Sequence, residues 1–417
     1  MIVNCRIMSM RRHGKIAFAQ FKEFSNHNNT ASITQAVFMK QNLEDYDLIL
    51  SSLKIGCIVT LRGEEYVTST GVLSLSVVKC DITYIPNVGF PTEHFGIENE
   101  NLKRRHRFLS CLYNDSVKTT FLKRFEIINN IRQFLISNSF IEFETPIMSS
   151  HASGALAKPF VTHYNAYETD FYLRIAPETF LKRILAGGFD NIFEIGKNFR
   201  NEGVDPSHLQ EFTVVEWYSA FKNYKDNLEL FKSMLDFLIK DKIVTFENVQ
   251  LDFSNCQTLT YRECFEKYAP DFDPFCKENS EKSVDLVFKT RIRPNIVQPT
   301  FVIDYPSFMS PMAKRSDQDE NICEQWQFIV NGWEIVKCYT ELVDATLQRQ
   351  LLEEQMQQKI KANNADDEFM ELEEDFLYTM EYGIPQSSGV GVGIDRLVAI
   401  LTNNSSLRDV VFFPAVL

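Results

Sequence analysis

Near Thr119 the spacing of apolar residues changes from simple alternation to a helical period, so the two parts of the chain belong to different structural classes. On the amino-terminal side Val3, Cys5 and Ile7 alternate with polar neighbours, and the rhythm returns over residues 16–21, at Val59 and Leu61, and at Leu73, Leu75 and Val77. Successive side chains of an extended chain point to opposite faces, so each run can bury one face and wet the other. Polar turns over 25–29 and at Thr70 and Gly71 separate the runs, which predicts a small barrel over residues 1–91, with the oligonucleotide-binding (OB) barrel the natural candidate. From Ile85 to Asn101, two prolines and two glycines mark a linker that overlaps the barrel's end, and a basic cluster from Lys103 to Arg107 follows, so residues 92–118 are read as the connection. Beyond it Phe121, Leu122, Phe125, Ile128, Ile131, Phe134 and Leu135 mark one face of an amphipathic helix opening a second domain, residues 119–417. Extended segments over 171–175, 192–199 and 211–221 alternate with helices over 228–239 and 347–360, an α+β pattern.

With 44% hydrophobic and 24% charged residues among 417, the chain is an ordinary globular protein rather than a disordered one. No apolar run approaches the ~18 residues of a membrane span, and residues 1–10 lack a signal pattern, so a cytoplasmic, membrane-free protein is expected. Nine scattered cysteines without a C-x-x-C pair argue against a disulfide scaffold or a zinc cage. A net charge of -13 speaks against uniform polyanion binding, but Arg11, Arg12 and the 103–107 cluster oppose acids at Asp366, Asp367, Glu368 and 371–375. A surface polarised in this way can admit a polyanion along one face, while a solvated charged surface explains either run alone.

Three constellations carry chemistry. The first runs through Phe199, Arg200, Asn201, Glu202 and Gly203, then His208, then Glu211 to Tyr218. Charges inside two strand-like segments are costly unless paired or bound, and a guanidinium there can neutralise a phosphate and a carboxylate together; a surface hairpin laced with salt bridges is an equal alternative. In the second, Gly389, Gly391 and Gly393 alternate with valines ahead of Asp395 and Arg396. Bare positions on one face would let a flat ligand reach the backbone, although tight packing is the commoner use of such a strand. The third, from Gln327 through Glu334, Lys337 and Tyr339 to Glu341 and Asp344, sets acids among apolar residues. Such acids suit Mg2+ or a cationic substrate group, and taken alone the segment reads as an exposed edge strand.

The first two constellations resemble motifs 2 and 3 of the class II aminoacyl-tRNA synthetases, and the third resembles the amino-acid pocket of the lysyl enzymes. Residues 140–146 are similar to motif 1, the dimer-interface element, and residues 158–163, 173–178, 305–306 and 310–315 to further lysyl signatures. The barrel resembles the anticodon-binding domain through residues 10–15 and 68–71. The resemblance implies a catalytic domain built on an antiparallel sheet with flanking helices, a homodimer, ATP and Mg2+, and lysine and tRNA(Lys) as partners. It implies that Arg200 bridges the ATP α-phosphate and the lysine carboxylate, and that Arg396 holds the γ-phosphate and covers the adenine. Glu202 would read the adenine amino group, Phe212 would stack on the base, His208 would contact the phosphate tail, and Gly393 would border the nucleotide. Gly154 would leave room for the amino-acid backbone, Glu178 and Glu216 would hold its α-amino group, and Glu341 with Tyr218 would grip the ε-ammonium beside Tyr339. Arg11 and Phe18 would contact the anticodon.

The chain departs from the family pattern at several of these places. Gln327 stands where a second metal-binding glutamate is usual, leaving Glu334 as the charged ligand of that pair, so weaker Mg2+ binding is expected. Lys337 replaces an asparagine near the substrate carboxylate, and Val72 and Thr34 stand where a glutamate and a glutamine commonly read the anticodon. These departures keep two alternatives open: a lysyl-synthetase paralogue that modifies a protein, and a catalytically weakened RNA-binding or regulatory protein.

Overall fold

The structure is a computed structural model describing residues 1–24, 33–90, 99–151, 157–203, 205–276, 278–362 and 373–415. It divides into two compact units, Met1–Leu122 and Lys123–Ala415.

In the first unit, strands Ile2–His13, Ile16–Glu23, Gln35–Met39, Ile58–Val67 and Leu73–Tyr84 close into a barrel in the order first, second, third, fifth, fourth, with helix Tyr46–Ser52 between the third and fourth. The alternation read from the sequence is the alternation buried: Val3, Cys5 and Ile7 point inward, as do Ala17, Ala19 and Phe21. Small residues at Ala17, Ala19 and Ala36 leave room for Phe21 and Phe38, and closure removes the exposed edges that short strands would otherwise present. The basic cluster lies in the 92–118 connection and is helical. It forms two helices, Glu100–Arg105 and Arg107–Tyr113, the first capped by the Asn99 side chain, which accepts from the Leu102 N–H. Arg107 is buried, with its guanidinium 5.9 Å from the Phe121 ring centroid, so part of the cluster is interior rather than solvated.

The long helix runs Asp115–Ser137 and buries Ile127, Ile131, Phe134 and Leu135, while Phe125, expected on the same face, is 69% exposed. In the second unit eight strands form one sheet, in the order Gln257–Thr260, Thr300–Pro306, Ile322–Val330, Trp333–Thr340, Ser387–Gly393, Glu211–Ala220, Asn191–Phe199, Ile141–Glu142. Only the two outermost pairings are parallel. Helices Tyr224–Leu238 and Ile394–Leu401 cover one face through a core containing Phe231, Met234, Trp217, Trp326 and Phe328. The strand pair over residues 322–340 is interior rather than at an edge, because Trp333–Thr340 is bonded on its far side to Ser387–Gly393, a partner about fifty residues later that no local pattern reveals. Among the described residues no helix is long and apolar enough to cross a membrane.

Candidate active site

Three neighbouring strands send alternate residues to opposite faces of this sheet. Val215 and Trp217, Val336 and Cys338, and Val390 and Val392 join the helix-covered core. Glu216 and Tyr218, Lys337 and Tyr339, and Gly389, Gly391 and Gly393 therefore face the other side, where they line a cavity of about 400 Å3. Register fixes the arrangement: Gly391 lies between Glu216 and Lys337, and Gly389 between Tyr218 and Tyr339. The glycines are not equivalent. A Cβ at Gly391 or Gly393 would meet nothing closer than 3.6 Å, which leaves a bare lane, whereas one at Gly389 would collide with the Glu341 carboxylate and the Tyr218 ring.

One end of the cavity is cationic. Arg200 follows the Asn191–Phe199 strand, and its N–H donates to the Gln210 carbonyl at 2.9 Å across the hairpin. Its guanidinium carbon sits 5.2 Å from the Phe212 ring centroid, and its Nε is buried without a hydrogen-bond partner among the described residues. Arg396, at the start of helix Ile394–Leu401, donates from Nη1 to the Glu334 backbone carbonyl at 2.8 Å, and its Nη2 lies 3.3 Å from His208 Nε2. Burial lowers the Arg396 pKa; the Glu334 charge opposes this, and Arg293 and Arg200 reinforce it. His208 is oriented by Asp205, 2.7 Å from its Nδ1. Glu202 and Glu334 also line this end. Asp395, named in the glycine-rich segment without a role of its own, holds the two motifs together: its carboxylate accepts from the Thr213 N–H at 2.8 Å and pairs with Arg124 of the long helix at 2.6 Å. Its adjacency to Arg396 was the available signal.

The other end is acidic and drier. Glu178 Oε1 accepts from the Tyr339 hydroxyl at 2.5 Å and from Lys182 Nζ at 2.7 Å. Lys182 is itself buried and also pairs with Glu341. Tyr218 donates to Glu216 at 3.2 Å. Burial first, and the Glu178 charge second, push the Glu216 carboxyl up to about 8. Burial likewise raises Glu341, and Lys182 pulls it back. Glu341 is 1% exposed and lies behind the cavity wall, against Gly389, rather than on the lining. Lys182 escaped the sequence reading. The Glu178/Lys182 spacing of one helical turn was the only hint, and such pairs usually lie in solvent.

The cavity thus gathers Arg200, Glu202, His208, Phe212, Glu178, Glu216, Tyr218, Glu334, Lys337, Tyr339, Gly393 and Arg396. Lys337 Nζ sits 5.8 Å from the Tyr339 ring centroid and has no ion pair among the described residues. Gln327 is cross-strand from Lys337 but off the cavity lining, its amide oxygen accepting from the Tyr305 hydroxyl at 2.8 Å. Among the described residues no three His, Cys, Asp or Glu side chains converge on a metal position. A single carboxylate at Glu334 fits an ion completed by phosphate oxygens and water, not a cage made by protein alone. Gly154 lies outside the described residues.

In the barrel unit, Arg11 and Phe18 are direct cross-strand partners. Arg11 is exposed, and Phe18, between buried Ala17 and Ala19, turns its ring to the outer face. Val72 is 44% exposed. Thr34 precedes the third strand, and the next residue, Gln35, accepts from Gln20 at 3.2 Å and donates to Ser74 at 2.9 Å.

Comparison with known proteins agrees with this geometry. The family of class II tRNA synthetases (D, K and N) matches residues 99–417. The lysine–tRNA ligase of Escherichia coli (strain K12) is 35% identical over 437 residues, covering 98% of this chain and 85% of that protein. The lysine–tRNA ligases of Shigella flexneri and Erwinia tasmaniensis share 35% identity with the same coverage. With the barrel, the antiparallel sheet and the paired cationic and acidic ends all present, the chain belongs to the class II lysyl-tRNA synthetases.

Proposed function

We propose that the protein activates lysine with ATP to lysyl-adenylate and transfers the lysyl group to tRNA(Lys), acting as a cytoplasmic homodimer. The observation that carries this reading is the division of one cavity into a guanidinium end and a carboxylate end, joined by the bare glycine lane. A lysine carboxylate oxygen attacks the ATP α-phosphorus and pyrophosphate leaves; a ribose hydroxyl of the tRNA then attacks the activated carbonyl and AMP leaves. Both reactants of the first step are anions, so the protein's work is to neutralise and align them rather than to supply a nucleophile. Arg200, with its unpaired Nε, suits the position between α-phosphate and carboxylate, and the Phe212 ring beneath it suits the adenine as a stacking partner. Arg396, steadied by a backbone carbonyl rather than a carboxylate, keeps its charge available to the phosphate tail, with His208 beside it and Glu202 toward the base. At the other end Glu178 and Glu216 suit the α-ammonium, and Glu341, with Tyr218 and Tyr339, the side-chain ammonium. Lys337, on the same cavity lining, suits the substrate carboxylate.

Class II synthetases use ATP and Mg2+ generally. Here Glu334 is the residue that would hold the ion, which supplies positive charge to the polyphosphate when bound; Gln327 contributes no charge and its oxygen is already engaged by Tyr305. Arg11 and Phe18 offer a cation and a ring on one face of the barrel, a pairing suited to an unstacked anticodon base. That face favours tRNA over a protein acceptor. The test is tRNA charging: purified protein should attach lysine to tRNA(Lys), and Arg11→Ala should weaken charging without changing adenylate formation. Adenylate formation with no tRNA charged would favour the protein-modifying alternative.

A further inference from the structure

The lysine reading assigns the side-chain ammonium to Glu341, yet that carboxylate is not on the cavity wall and already has a cation. Lys182, 1% exposed, reaches it from helix Glu178–Ala186 and bonds Glu178 at the same time. Its ammonium is clamped between rings, 5.6 Å from the Tyr339 centroid and 5.8 Å from the Phe376 centroid. Oε2 of Glu341 pairs with Lys182; Oε1 is buried against Gly389 and the Tyr218 ring, directly behind the cavity, where the Gly389 backbone N–H also faces the carboxylate. An ionised carboxylate accepts about four hydrogen bonds, so one ammonium and one amide leave this buried group with capacity for a further donor. We propose that Lys182 is a specificity-determining positioning residue, which holds one oxygen of Glu341 so that the other is presented through the Gly389 wall to the terminal ammonium of the amino acid.

The inference deepens the lysine reading and rests on it. One carboxylate shared between a resident and an incoming ammonium rejects a neutral side chain, because its charge then stays only partly compensated, and rejects a shorter diamino acid, which cannot reach the wall. The groups facing Glu341 are Lys182 and Glu178 on the helix, Tyr339 and Cys338 on one strand, Tyr218 on another, and the Gly389 backbone. Of these Lys182 is the one cation, so without it the carboxylate takes up a proton at a higher pH.

The experiment is ATP–pyrophosphate exchange on the full chain, comparing wild type, Lys182→Met, Lys182→Arg and Phe376→Leu, with lysine, norleucine and ornithine, from pH 6 to 9.5. Lys182→Met should raise the KM for lysine on the order of 100-fold with little change for ATP, and move the pH profile for lysine toward alkaline pH, with Lys182→Arg recovering most of both. Phe376→Leu, which loosens the clamp without removing a charge, should raise the lysine KM about threefold and decides the matter if Lys182→Met shows no cooperative melt. An unchanged lysine KM and pH profile in a folded Lys182→Met, an equal loss for ATP, or an unchanged lysine KM in Phe376→Leu, would overturn the inference. Failure of the wild type to activate lysine would instead overturn the proposed function.

Discussion

The two ends of the cavity solve opposite electrostatic problems in opposite ways. At the arginine end the charges are held by neutral groups: a backbone carbonyl under Arg396 and a ring under Arg200. At the acidic end the carboxylates are held by an internal cation, with Lys182 bridging Glu178 and Glu341. A polyphosphate brings several negative charges to two half-buried guanidiniums, and the Glu334 carboxylate already offsets part of the cost of burying Arg396. On the proposed reading the amino acid brings two ammoniums into a dry recess, where three carboxylates lacking Lys182 would keep an excess of negative charge and bind protons. The difference shows that burial, more than the sign of the charge, decides whether a site can be left unneutralised.

The largest expected effect breaks the cationic end. Arg200→Met should lower kcat/KM for lysine-dependent exchange about 10³-fold, mostly in kcat, because an unpaired donor aimed at developing charge acts in the transition state. A change confined to KM for ATP would make Arg200 a simple ground-state anchor. Next, Glu341→Gln should raise the KM for lysine on the order of 100-fold, leaving ATP within about threefold, since truncating one side of a buried charge pair costs roughly 2–5 kcal/mol. Equal losses for both substrates would show that the two ends are not separable.

Glu216 gives the comparison a thermodynamic form. Its folded carboxyl is pushed up to about 8 from an ordinary 4.5. Between those values the unfolded chain has released a proton that the folded chain keeps, so stability falls as pH rises through that window. Glu216→Gln should therefore match wild type near pH 5 and exceed it near pH 8 by on the order of a few kcal/mol in urea unfolding, while binding lysine more weakly. A flat difference across pH would contradict the burial account. The smallest effect is at the ring: Phe212→Leu should raise the KM for ATP about fivefold, the worth of one stacking contact.

Much of this was legible in the sequence, and the exceptions share a cause. Alternation gave the barrel because its strands are half-buried, and the glycine lane was legible as one of two readings, ligand approach or tight packing, with Arg396 beside it favouring the first. Gly389 departed from that reading, since the space its missing Cβ leaves is filled by Glu341 and Tyr218 rather than by ligand. Phe125 was misplaced because it stands at the margin of the apolar arc, where a helical period cannot say on which side of the edge a ring falls. Lys182 was invisible for a deeper reason. A lysine one turn from a glutamate on an amphipathic helix reads as a solvated pair, and only long-range packing, which brings Glu341 from far along the chain, turns it into a buried countercharge.

The proposed lysine-adenylating site needs the acidic and cationic ends together. Its most direct test is ATP–pyrophosphate exchange by the purified protein with each of lysine, norleucine, aspartate and asparagine in the presence of Mg2+. Exchange is expected with lysine, and background rates with the others. Exchange driven by aspartate or asparagine, or no exchange with any of the four, would contradict it.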